Sequence, residues 1–162
     1  MRRGKVAVCV VALIAAVAAP SVAARPVIKN RRAVTTRESA LVIAINSVRR
    51  LHLLPRLRID HRLVRAARSH SRDMLRRQYF AHGNFGRRMV TFHIRGSRLA
   101  ENLVWGSGIM SANAAVAEWL ASPPHRANLL DPGLRRIGVG APVGVFEGYA
   151  PATMITADFA GN

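Results

Sequence analysis

Residues 119–140, W-L-A-S-P-P-H-R-A-N-L-L-D-P-G-L-R-R-I-G-V-G, compress an aromatic, a Ser-Pro-Pro turn, a histidine, an Asp-Pro-Gly turn and a glycine-punctuated strand into one stretch. Ser122 followed by Pro123 and Pro124 reads as an N-cap with proline in the first turn, opening a short helix through Leu130. His125 then sits near the positive end of that helix, where neutral imidazole is favoured over imidazolium. Beyond the Asp-Pro-Gly turn, Ile137 to Val143 reads as a strand. A helix, a turn and a strand in direct succession set the pattern for the rest of the chain.

Working outward, residues 111–120 read as a helix that turns Val116, Trp119 and Leu120 inward. Leu99 to Trp105 reads as a strand with a carboxylate, Glu101, at its start, and an acid in that apolar company is either paired with a cation or raised in pKa. Tyr79 to Gly86 leaves a helix end and places His82 on a loop, and residues 90–94 make a short helical turn containing His93. Asp60 caps a helix running to about Gln78, with Leu63, Ala67, His70 and Met74 on one stripe. Arg65, Arg68, Arg72 and Arg76 fall opposite and read as its solvated side, with a docking surface for anionic lipid or polymer as the competing reading, and His70 reads as a buried, hydrogen-bonded histidine. Thr35-Thr36-Arg37-Glu38 fits a capping box for a helix over 36–51. Thr153 to Phe159 is the last strand, after a Gly-Val-Phe-Glu-Gly-Tyr turn region. Early helices, late strands and no regular alternation predict an α+β sandwich rather than a doubly wound fold.

The chain has 162 residues, room for one domain with its own core. Arg2, Arg3 and Lys5 precede an apolar run and then small residues at 21–24, the pattern of a secretory signal over 1–23. That run is too short to span a bilayer comfortably, so no transmembrane segment is expected in the mature chain. A basic linker over 24–35 and a domain over 36–162 follow. Cys9 is the single cysteine and leaves with the signal, which excludes disulfides, thiolate metal sites and a thiol nucleophile. The net charge is +17, or +14 once the three basic residues of the signal are removed. Such charge suits anionic envelope surfaces or polymers, although an arginine-rich codon bias alone would give the same count. Export and sparse aromatics disfavour nucleic acid.

The candidate site residues are His82, Glu101, Ser122 and His125. A serine–histidine–glutamate triad can be written from them, but no Gly-x-Ser-x-Gly elbow surrounds Ser122. A site built on His82, His125 and a carboxylate would suit a divalent cation such as Zn²⁺. Residues alone leave both readings open.

The chain resembles the cysteine-rich secretory protein, antigen 5 and pathogenesis-related (CAP) superfamily, in its cysteine-poor bacterial branch. The resemblance runs from about Leu41 to Phe159. It rests on Ile45-Asn46-Ser47-Val48-Arg49, Ala66 to Met74, Tyr79-Phe80-Ala81-His82, Ala100-Glu101-Asn102-Leu103, Trp119 to Leu130, Arg136 to Gly140 and Thr156-Ala157-Asp158-Phe159 in that order. It implies a three-layer α-β-α sandwich with a central, mostly antiparallel sheet, a secreted or extracytoplasmic location and a shallow cleft. In that cleft His82 matches the first histidine, Glu101 the first glutamate and His125 the second histidine. The second glutamate falls on Ser122, and Glu118 does not match it. The incomplete tetrad favours a non-enzymatic binding domain for a lipid or anionic envelope component. A hydrolase in which His82 and His125 hold a divalent ion is the alternative, and a cationic interaction protein with a vestigial cleft is a third.

Overall fold

The computed structural model describes residues 33–162. The expected signal segment and residues 24–32 of the expected linker lie outside the described residues. Thr35 starts α1 (Thr36–Leu51) through a capping box. Its hydroxyl accepts from the Glu38 amide at 3.3 Å, and the Glu38 carboxylate accepts from the Thr35 amide at 2.8 Å. After β1 (Arg58–Ile59), Asp60 caps α2 (His61–Arg77) by accepting from the Arg62 amide at 2.8 Å. Gln78 ends α2 in the left-handed conformation. There follow α3 (Phe85–Thr91), β2 (Leu99–Ser107), α4 (Ala112–Ala121), α5 (Pro123–Leu130), β3 (Arg136–Gly140), β4 (Val143–Phe146) and β5 (Tyr149–Ala160). No helix among the described residues is long and apolar enough to cross a membrane.

The sheet runs in the order β1-β3-β5-β2, with β4 also paired to β5. The β1–β3 pair is parallel and the others are antiparallel. Long β5 pairs along its length with β2 on one side, and with β4 and then β3 on the other. Side chains alternate between the two faces of a strand, and this alternation builds the layers. Ile137, Val139, Ile155, Ala157 and Phe159 join Leu41, Ile45 and Trp119 in one core, on the side of α1, α4 and α5. The opposite face receives α2 and α3. This is the α-β-α sandwich around a mostly antiparallel sheet that the resemblance implied.

On the α2 side the helix lies against bare backbone. A Cβ on Gly138 would stand 2.1 Å from the Leu63 carbonyl carbon and the Val64 nitrogen, and one on Gly140 would stand 2.5 Å from the Arg68 nitrogen. Backbone cannot move aside as a flexible side chain can. Gly138→Ala is therefore expected to destabilise the domain by about 1–3 kcal/mol through overpacking, read as a lower urea midpoint at unchanged slope. Wild-type stability in that variant would mean that α2 is free to lift from β3.

Four readings from the sequence are corrected. Arg68 is buried rather than solvated, because its Nε and Nη2 bind the Glu38 carboxylate at 2.7 and 2.5 Å. Strands β1 and β4 were not anticipated, and β5 begins four residues earlier than Thr153. The turn expected at 90–94 is the end of α3, which starts at Phe85 with the Asn84 side chain accepting from the Arg87 amide.

Candidate functional site

The register of β2, β5 and β3 places Glu101, Asp158 and Gly138 side by side on the α2 face. Because Gly138 carries no side chain, two neighbouring carboxyl groups lie beneath α2 and α3, Glu101 at 6% exposure and Asp158 at 0%. Burying two like charges together requires a cation or a proton. The structure supplies the cation from α3. Arg88 Nη2 donates to Glu101 Oε2 and stands 3.9 Å from Asp158 Oδ1.

The other oxygen of Glu101 lies 2.7 Å from Nδ1 of His82, whose side chain is 57% exposed. His70 on α2 completes the inner wall, its Nε2 3.0 Å from the Ala81 carbonyl and 3.8 Å from Glu101 Oε2. Burial, and after it the Arg88 charge, pushes the pKa of His70 down. Asp158 has no hydrogen-bond partner at either oxygen among the described residues. Its pKa is raised well above the usual carboxyl value, first by burial and then by the charge on Glu101, with Arg88 acting against both. Asp158 thus holds a proton where an exposed aspartate would not.

His125 comes from the opposite layer. The Asn102 side chain points to the α5 side of β2 and donates to the His125 carbonyl at 2.9 Å. Asn128 donates to Asn102 Oδ1 at 2.9 Å and to the Glu101 carbonyl at 3.3 Å. These bonds fix α5 against the edge strand. The His125 pKa is lowered first by burial and then by the charge on His82, so the two imidazoles feel each other across that edge.

The Ser122 hydroxyl makes no cap bond. Pro124, the second helical residue, has no amide to offer it, and the amide of His125, the third, is not bonded to it either. No hydrogen bond joins the Ser122 hydroxyl to His82, Glu101 or His125 among the described residues.

A resident divalent ion needs several donors converging on one point. Here one oxygen of Glu101 faces His82 and the other accepts from Arg88. Among the described residues no three His, Cys, Asp or Glu side chains are placed to hold a metal. As arranged, the residues do not fit a resident divalent ion, because the guanidinium already supplies the positive charge an ion would bring. Sequence reasoning singled out His82, Glu101 and His125 but missed Arg88 and Asp158. Asp158, an acid in an apolar alternating strand, carries the same signal that drew attention to Glu101, whereas Arg88 carries none among so many arginines.

Fold and cluster together define a class: α-β-α sandwiches with an imidazole–carboxylate cluster at the edge of a mostly antiparallel sheet. The chain belongs to the CAP, or cysteine-rich secretory protein, family, whose profile matches residues 42–149. It is similar to the uncharacterized protein YkwD of Bacillus subtilis (strain 168), with 33% identity over 112 residues, covering 66% of this chain and 43% of that protein. It is also similar to the crystal structure of an extracellular protein containing a SCP domain from Bacillus anthracis. That likeness has a TM-score of 0.66 and 27% identity, covering 78% of this chain and 40% of that one. An outer surface protein from Borrelia burgdorferi shares the fold, with a TM-score of 0.64 and 21% identity over 80% of this chain and 97% of that one. The chain spans less than half the length of the first two.

Proposed function

We propose that the chain is the CAP domain of an exported protein and acts as a non-enzymatic binding domain for an anionic component of the cell envelope. Export is supported by the signal-type pattern over residues 1–23 and by the likeness to an extracellular SCP-domain protein. One observation carries the non-enzymatic reading: both oxygens of Glu101 are engaged, one by His82 and one by Arg88. A general base must be free to take a proton from a bound water or substrate, and this carboxylate is tied down by a guanidinium. Ser122 offers no base-activated hydroxyl in its place. The strong positive charge of the chain accounts for the anionic partner.

The purified chain is expected to bind phosphatidylglycerol vesicles or a soluble poly(glycerol phosphate) chain, and to ignore phosphatidylcholine vesicles. That binding is expected to weaken at least tenfold between 50 and 200 mM salt, on the order expected for contacts to several phosphates. Absence of binding to both anionic probes overturns the reading. So does turnover of an ester or peptide substrate that disappears in Glu101→Gln.

A further inference from the structure

We propose that the arginine-lined groove along the outer face of α2 binds a linear phosphodiester chain. This rests on the binding reading above and deepens it by naming a site and a ligand chemistry. Arg65, Ser69, Arg72 and Arg76 recur at intervals of four, three and four, so they form one stripe along the helix, about 16 Å from first to last. They line a groove of about 720 Å³ whose far wall carries Tyr79, Asn84 and Arg88.

Arg65 and Arg72 are exposed, and neither side chain has a hydrogen bond or ion pair among the described residues. Arg76 and Arg77 share the Asp73 carboxylate, which also accepts from the Tyr79 hydroxyl at 2.9 Å. One carboxylate thus orients two guanidiniums without cancelling them. Three exposed guanidiniums in a row, those of Arg65, Arg72 and Arg76, with that of Arg77 beside them, offer forked donors matched to phosphate oxygens.

The shape selects a chain over a bilayer. A membrane surface calls for a projecting apolar face, whereas this site is concave. The exposed apolar side chains are divided between the layers, Ile43, Leu51 and Leu53 on α1 and the turn after it, Phe80 after α2 and Val90 on α3. Bases attached to the chain would need open aromatic faces, but the Arg77 guanidinium covers the Tyr79 ring at 5.4 Å and the groove's other aromatic, Phe92, is half-buried. A phosphodiester backbone without bases fits best.

The test is a salt series of binding by the full chain to poly(glycerol phosphate). Four guanidinium contacts give a slope of log affinity against log salt of about −3, using the coefficient for flexible single-stranded polyanions. Arg65→Ala/Arg72→Ala is expected to weaken binding at least tenfold at low salt and to bring the slope to about −1.5. Arg50→Ala/Arg56→Ala removes the same charge beside α1, from exposed positions in the opposite layer, and is expected to stay within about twofold of wild type because screening weakens charges far from the ligand. Equal losses in the two double variants overturn the groove and leave the anionic-partner reading standing. Vesicle binding without polymer binding also overturns the groove, as does tighter binding of a single-stranded oligonucleotide that depends on Arg65 and Arg72. Failure of both phosphatidylglycerol vesicles and polymer to bind removes the groove and the wider reading together.

Discussion

Arg88→Met is expected to destabilise the domain by about 3–5 kcal/mol, the range for leaving a buried charge without its partner. The substitution keeps much of the apolar stem and removes the guanidinium between Glu101 and Asp158, which are 6% and 0% exposed. Urea unfolding at several pH values is the measurement, and the sign of its pH dependence is fixed by Asp158. The folded pKa of that group is raised by burial and by Glu101, so the folded state holds a proton that the unfolded chain releases above about pH 3.9. Ionisation of Asp158 therefore opposes folding as pH rises and ceases to do so as pH falls. Arg88 acts to lower that pKa, and without it the opposition grows. The Met variant should lose more stability, relative to wild type, at pH 8 than at pH 5. Glu38, Asp60 and Asp131 have lowered pKa values and act in the reverse direction, but they are common to both proteins and drop out of the difference. Adding Asp158→Asn to the Met variant should recover part of the loss. A penalty independent of pH and untouched by Asp158→Asn would mean that Arg88 acts only by packing.

Arg49→Met is expected to have an effect of similar size, about 3–5 kcal/mol, for a different reason. Arg49 is 0% exposed, and its guanidinium is bound entirely by main-chain oxygens. Its Nε donates to the Pro55 carbonyl at 2.9 Å, Nη1 to Leu129 and Asp131 at 2.8 and 3.0 Å, and Nη2 to Leu134 at 3.3 Å. Burial lowers its pKa more than any other influence, yet an arginine stays charged. Each buried acceptor left without a donor costs about 1–3 kcal/mol, and methionine would strand the two enclosed ones, the Leu129 and Leu134 carbonyls. Because Leu129 and Asp131 lie at the end of α5, the helix that presents His125 should loosen first. Limited proteolysis is then expected to cut near 129–134 before the domain unfolds, and wild-type resistance there would count against this role. Arg49→Lys keeps the charge but loses the fork, so it should recover less than half of the stability.

How much of this was legible in the sequence depended on whether the cause was local. The Thr35–Glu38 capping box and the Asp60 cap are contacts between near neighbours, and the bounds of α1 and α2 followed from them. Strand β1 is two residues long and exists only because Arg58 and Ile59 pair with Arg136 and Ile137, which no periodicity could announce. Strand β4 was hidden in the same way by the turn region it shares with β5. His82, Glu101 and His125 stood out as polar residues beside apolar or turn segments, but separations of 19 and 24 residues carry no geometry, and it was the family resemblance that put them in one cleft. The burial of Arg88 depends on how α3 lies over β2 and β5, and Arg68 was misplaced because its partner, Glu38, is thirty residues away on another helix.

The Glu38 carboxylate serves two masters, closing the first turn of α1 and receiving the Arg68 guanidinium from α2. Helix ends ordinarily fray on their own, at little free energy and without notice elsewhere. Here the start of α1 cannot open without stranding a buried guanidinium on α2. The amides at the N-terminus of α1 are thereby tied to the middle of α2, and the outermost helical turn of the domain is expected to exchange its hydrogens as slowly as its interior.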